Sequence, residues 1–155
     1  MMLMKLYLGA DHRGFVLKEA LKRALMQNGY DVEDVGAFAQ DPNDDYPDFA
    51  YAAAKKVAED PNERKGVLIC GSAMGMDVVA NKIKGIRATV AYSKESAAHA
   101  RTNDDINIIT LAGDVVDFNE AMEIVTIFLT TQFSGETRHL RRLNKIKEIE
   151  AKHLK

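Results

Sequence analysis

Short apolar runs alternate with helical patterns along the whole of this chain, and that alternation restricts the fold more than any other feature. Lys5 to Leu8, Asp31 to Val35, Gly66 to Cys70, Arg87 to Ala91 and Ile106 to Leu111 have the length and composition of strands. Between them, apolar residues recur at helical spacing. Phe15, Val16, Ala20, Leu21, Ala24 and Leu25 define a helix over 15–28 that Asn28-Gly29 stops. Pro47 suits the first turn of a second helix, ending near Glu59, because a proline there forfeits no helical hydrogen bond. Further helices are expected over roughly 75–84, 94–102 and 119–131. Strand, helix, strand repeated in this way predicts a parallel sheet with right-handed crossovers and helices on both faces.

A chain of 155 residues fits one domain with a real core. No linker or internal repeat divides it, so 1–155 reads as a single unit, with 1–134 as the core and 135–155 as a C-terminal helical arm. In that arm, Leu140, Leu143, Ile146 and Ile149 recur every three residues, a stripe that could pack on a second subunit or fold back on its own domain. A net charge of −2 gives no basis for a nucleic-acid or membrane surface. The run Met1-Met2-Leu3-Met4 is cut short by Lys5, too early for a signal peptide or a membrane span, and a cytoplasmic location is expected. The single cysteine, Cys70, rules out an intramolecular disulfide.

Cys70 is also where the candidate chemistry starts. It ends the apolar run Val67-Leu68-Ile69 and opens the turn Gly71-Ser72-Ala73-Met74-Gly75. In a parallel sheet, ligands bind beyond the carboxyl ends of the strands, where helix starts present free N–H groups. The turn is not a P-loop, because no Gly-Lys-Ser/Thr follows at the required spacing, and there is no dinucleotide fingerprint, since the turn after the first strand offers only Gly9 and Gly14. Asp11-His12 follows another strand and reaches the same edge; either residue alone could serve only the turn. No Cys/His cluster has metal-ligand spacing, so no metal and no cofactor are expected. Arg138 and Arg142 lie one helical turn apart, and converging guanidinium groups suit a phosphate.

Taken together, Gly9-Ala10-Asp11-His12-Arg13-Gly14, Asp45-Tyr46-Pro47, Cys70-Gly71-Ser72 with Gly75, Ala80-Asn81-Lys82, Gly85-Ile86-Arg87-Ala88, and Arg138-His139 with Arg142 resemble the type B ribose-5-phosphate isomerases and galactose-6-phosphate isomerase subunits. The resemblance runs nearly end to end. It implies a Rossmann-like three-layer αβα sandwich with a five-stranded parallel sheet. It also implies a homodimer or dimer of dimers whose sites lie between subunits, and aldose–ketose isomerisation of a sugar phosphate without a metal. By that resemblance Cys70 is the base, Ser72 relays a proton, and the loop Gly71, Ala73, Met74 and Gly75 holds the enediolate. Asp11 and His12 bind hydroxyls or the ring oxygen, Tyr46 lines the pocket, and Arg138 and Arg142 take the phosphate.

Three departures from the family pattern fall at four positions. Its ring-opening His and neighbouring Asn align with Asn103 and Asp104, and Asn cannot exchange a proton near neutral pH. His99, one turn earlier on the same helix face, is the candidate to compensate. A phosphate-side Arg after the fifth strand aligns with Asp114, which would repel phosphate unless it binds a hydroxyl or a cation. The second loop glycine is Ala73. By the resemblance ribose 5-phosphate and ribulose 5-phosphate are the default pair, and the departures weaken the substrate assignment more than the reaction class. The alternatives are another sugar phosphate, acyclic or hexose, and a catalytically incomplete binding subunit of a hetero-oligomer.

Overall fold

The structure, a computed structural model, describes residues 4–154. Most of the Met1–Met4 run and the expected helix end at Lys155 lie outside that range. The elements follow the order β1 (Lys5–Ala10), α1 (Phe15–Gln27), β2 (Asp31–Asp34), α2 (Tyr46–Ala58), β3 (Arg64–Cys70), α3 (Met74–Ala80), β4 (Ala88–Val90), α4 (Lys94–Asp104), β5 (Ile108–Ala112), α5 (Phe118–Thr130) and α6 (Thr137–His153). The strands form one parallel sheet in the order β2-β1-β3-β5-β4.

Strand periodicity divides the core into two layers. Leu6 and Leu8 of β1, Val67 and Ile69 of β3, and Ile109 and Leu111 of β5 face α1, α4 and α5, meeting Leu21, Ala97, Ile124 and Phe128. The alternate residues Tyr7, Leu68, Cys70 and Ile108 face α2 and α3, meeting Ala50, Ala54, Val57 and Met76. β3, in the middle of the sheet, is covered on both sides, which is why its sequence is an unbroken apolar run rather than an alternating one. Among the described residues, no helix is long and apolar enough to cross a membrane.

Of the boundaries that differ from expectation, two turn on an asparagine. The third helix ends at Ala80 rather than Lys84 because Asn81 turns its amide onto β4. Its Nδ2 donates to the Ala88 carbonyl at 2.9 Å, and its Oδ1 accepts from the Ala88 N–H at 2.9 Å. The last strand starts at Ile108 rather than Ile106, since Asn107 uses its side chain to bind the Arg87 N–H and the Gly85 carbonyl. The arm α6 is held on its own chain through buried His139 and Leu143 and by the Gly85 N–H donating to Glu150 Oε1 at 3.2 Å. Leu140, Ile146 and Ile149 stay exposed.

Candidate active site

The loops after β1 and β3 leave adjacent strands for opposite faces, one into α1 and the other into α3. A crevice opens where neighbouring connections diverge in this way, and it is the standard ligand position in an open α/β sheet. The β1 loop is wound tightly. Asp11 Oδ1 accepts from the N–H groups of Arg13 (3.0 Å) and Gly14 (3.2 Å), so this carboxylate serves the turn. Gly14 is pressed onto β3 so closely that a Cβ would stand 2.3 Å from the Ile69 carbonyl oxygen. No other residue type fits there.

Cys70 is the last residue of β3 and is only 4% exposed, packed on the α2–α3 side. The packed-thiol and reactive-thiol readings therefore share one position. Gly71 and Ala73 above it are buried, while Ser72 and Met74 are exposed. Ala73 takes the left-handed conformation, φ 70°, at the start of α3. A non-glycine residue there costs about 1–2 kcal/mol, strain of the kind that clusters at functional loops. Gly75 is overlain by Tyr46, whose ring carbons would come within 2.6 Å of a Cβ at Gly75. The structure thus brings Tyr46 to the Cys70–Gly75 loop.

His12 reaches across to the segment before α2. Asp44 Oδ1 accepts from the His12 backbone N–H at 3.0 Å and lies 2.7 Å from Nδ1. A carboxylate can only accept, so Nδ1 carries the proton and Nε2 is left for a ligand. The other Asp44 oxygen, Oδ2, is buried with no partner among the described residues. Asp11, His12 and Asp44 hold donor atoms within 4.8 Å of one another, but the hydrogen bonds above account for that closeness. The same segment is anchored by Lys18, fully buried on α1. Its Nζ donates to both Asp34 oxygens and to the Ala37 carbonyl, each at 2.7 Å. Burial alone would raise the Asp34 carboxyl, but hydrogen bonds from Lys18, Lys22 and the Gly36 N–H hold it below its usual range.

Asp114, after β5, is not a bare repulsive charge. It pairs with Arg13 Nη2, the cation alternative that its position left open. Arg138 and Arg142 stand apart from this cluster. The segment leading into α6 begins where the Ser134 N–H donates to the Thr102 carbonyl, near the end of α4, and α6 later meets Gly85 ahead of β4. That is the amino edge of the sheet, opposite Cys70. His99, Asn103 and Asp104 lie on the later turns of α4; Asn103 Nδ2 is 3.1–3.2 Å from the His99 ring nitrogens. His99 and Asp104 line a shallow groove with Tyr92 and Ser96, away from the thiol. One chain therefore assembles Asp11, His12, Tyr46 and the 70–75 loop, and leaves the α4 and α6 residues elsewhere. Sequence reasoning missed Asp44, Lys18 and Arg13. Asp44 adjoins the Asp45-Tyr46-Pro47 signature, and Arg13 adjoins Asp11-His12; nothing local marks Lys18.

A parallel αβα sandwich with a thiol-bearing loop at its switch point defines a class of ligand-binding fold, and comparison narrows it. The Ribose/Galactose Isomerase profile matches residues 6–146. Ribose-5-phosphate isomerase B of Mycolicibacterium paratuberculosis is 40% identical over 150 residues, covering 97% of this chain and 94% of that protein. A putative sugar phosphate isomerase of Bacillus subtilis is 37% identical, covering 97% and 100%. The crystal structure of ribose-5-phosphate isomerase B from Mycoplasma genitalium with bound ribulose-5-phosphate superposes with a TM-score of 0.94 at 38% identity, covering 97% and 99%. The chain belongs to the ribose/galactose isomerase family, and with it to the aldose–ketose isomerases.

Proposed function

We propose that this chain interconverts ribose 5-phosphate and ribulose 5-phosphate without a metal, with Cys70 as the base. The observation that carries the reading is the position of Cys70, the last residue of β3 beneath a glycine-bearing loop, in a chain that matches ribose-5-phosphate isomerases over nearly its full length. In the open-chain aldose, the Cys70 thiolate takes the proton from C2, and the freed electron pair forms the C1–C2 double bond of an enediolate. Ser72 passes a proton from O2 to O1, and the thiol returns its proton to C1, leaving the carbonyl at C2. The N–H groups of residues 71–75 stabilise the charge that develops on oxygen. His12 Nε2 and Asp44 Oδ2 meet substrate hydroxyls, and Tyr46 forms a wall.

The phosphate and ring-opening groups come from a second copy of the chain, because Arg138, Arg142 and the His99–Asn103 pair start on the far side of the sheet from Cys70. Residues 135–155 then serve as the arm between copies and 1–134 as the core. Cys70→Ala and Cys70→Ser are expected to lose about a thousandfold in kcat with the fold intact, the usual worth of a positioned general base. Near-normal turnover in either variant assigns the proton transfer to another group.

A second reading is favoured by Asn103 at the ring-opening position. An acyclic substrate such as a tetrose phosphate needs no ring opening, and its turnover would then exceed that of ribose 5-phosphate. Equal or lower rates eliminate this reading. Loss of ribose 5-phosphate turnover in His99→Ala, with an acyclic substrate unaffected, would place ring opening on His99.

A further inference from the structure

The loops around the crevice supply acid and very little base. Asp11 follows β1, Asp44 and Asp45 precede α2, and Asp114 and Asp117 follow β5. A phosphate monoester carries about −1.5 to −2 charge at neutral pH, so such a rim would repel the substrate proposed above unless positive charge stands inside it. Among the described residues of the loops after β1, β2, β3, β4 and β5, Arg13 is the single Lys or Arg. Lys18 is close in sequence, but it is buried and fully engaged by Asp34 and the Ala37 carbonyl.

Arg13 is also held in a defined place. Its backbone N–H is bound by Asp11 Oδ1, and the next residue, Gly14, is wedged against the Ile69 carbonyl. Its guanidinium lies across Gly71: Cζ and Nε would be 2.3 and 2.4 Å from a Cβ on that residue. Nη2 donates to Asp114 Oδ2, and Asp114 is tied to the same loop through its own N–H, which donates to the Gly71 carbonyl at 3.2 Å. A glycine at 71 makes room for this seat. Cys70 packs on the α2–α3 side, whereas the missing side chain of the next residue points to Arg13. The two groups therefore address different parts of a bound molecule.

We propose that Arg13 is a further substrate-binding residue that shares the phosphate of the sugar phosphate with Arg138 and Arg142 of a second copy, with Asp114 positioning its guanidinium over Gly71. The assignment rests on the sugar-phosphate reading above. A guanidinium has five N–H donors in a planar fork, so engaging one edge with Asp114 leaves donors for phosphate oxygens. Arg13 belongs to the same chain as the thiol. It therefore fixes the distance between phosphate and base within one copy, however the arms of a second copy are placed.

The test uses inorganic phosphate, titrated calorimetrically into the wild-type protein and its variants, beside isomerase kinetics. Arg13→Ala is expected to weaken phosphate about tenfold or more and to raise KM for ribose 5-phosphate in parallel, the loss of one charge-assisted pair. kcat should stay within about threefold, because the base is untouched. Arg13→Lys keeps the charge but not the fork, and should fall between the two. Asp114→Asn keeps an oxygen acceptor to position Arg13 Nη2 while removing the competing charge, and is expected to tighten phosphate about threefold. A purely structural ion pair predicts instead that Arg13→Ala and Asp114→Asn act alike. That result overturns the proposal, as does a phosphate Kd in Arg13→Ala within about twofold of wild type. A wild-type protein that binds no phosphate overturns it too. Phosphate binding that depends on Arg13, without ribose 5-phosphate turnover, leaves it standing and refutes the substrate reading alone.

Discussion

Asp77 shows how much a single side chain near this site can be read. It lies in the first turn of α3, where a carboxylate favours the helix start, yet its Oδ1 is buried with no partner among the described residues. Burial pushes its carboxyl above the ordinary value of 3.8. The folded protein therefore holds the proton more tightly than the unfolded chain does. Stability from this group is fully present below pH 3.8 and is lost as pH rises through the higher folded value. Asp77→Asn should thus gain about 0.5–1 kcal/mol at pH 7, what remains after solvent screening and loss of the helix-start attraction. Denaturant midpoints should show that gain vanishing near pH 3.5. A gain of equal size at both pH values would mean that packing, not ionisation, is the cause. At this scale the sequence was informative about Cys70, Gly75 and Tyr46, which local motifs flag. It was silent on the pairing of Arg13 with Asp114, because the partners are 101 residues apart and only the sheet order brings them together.

The segment between β2 and α2 depends on α1 for its place. Lys18 ties Asp34 and the Ala37 carbonyl to the helix, and His12 and Gln40 fasten the same stretch to the β1 loop. Removing one partner of a buried ion pair strands the other, at about 3–5 kcal/mol. Lys18→Met should therefore cost about 3 kcal/mol in chemical denaturation. Lys22→Met, whose ammonium meets Asp34 from the partly exposed side, should cost under about 1 kcal/mol. Similar losses would show that Asp34 is satisfied by either lysine. Elements themselves were mostly legible, since periodicity and caps are local. Ser93 with Ser96 and Asp117 with Glu120 form the capping boxes that start α4 and α5. Lys18 could not be found this way. On a helical wheel it reads as an ordinary charged position, and only the strand opposite makes it interior. The end of α3 and the start of β5 escape a local reading for the same reason: Asn81 and Asn107 stop or delay an element by binding a neighbouring segment.

At the scale of the whole molecule, the proposed sharing of the site between copies makes a sharp prediction. If Cys70 and Arg142 belong to the two halves of one such site, Cys70→Ala and Arg142→Ala should each be nearly inactive alone. Co-expressed, half of the dimers are mixed and each holds one undamaged site, giving about a quarter of wild-type activity. No recovery would place Arg142 in the same half-site as Cys70 or outside the site altogether. The parallel αβα architecture could be anticipated from alternating patterns, but which strand sits beside which could not, because strand order is written in long-range packing. That order bears on how the chain is made. β4 pairs with β5 alone, and β5 is synthesised after it. When the nascent chain has left the exit tunnel only up to residue 107, β2, β1 and β3 can already pair while β4 has no strand to rest against. The last piece of sheet to leave the exit tunnel is an interior one, and the edge must wait for it.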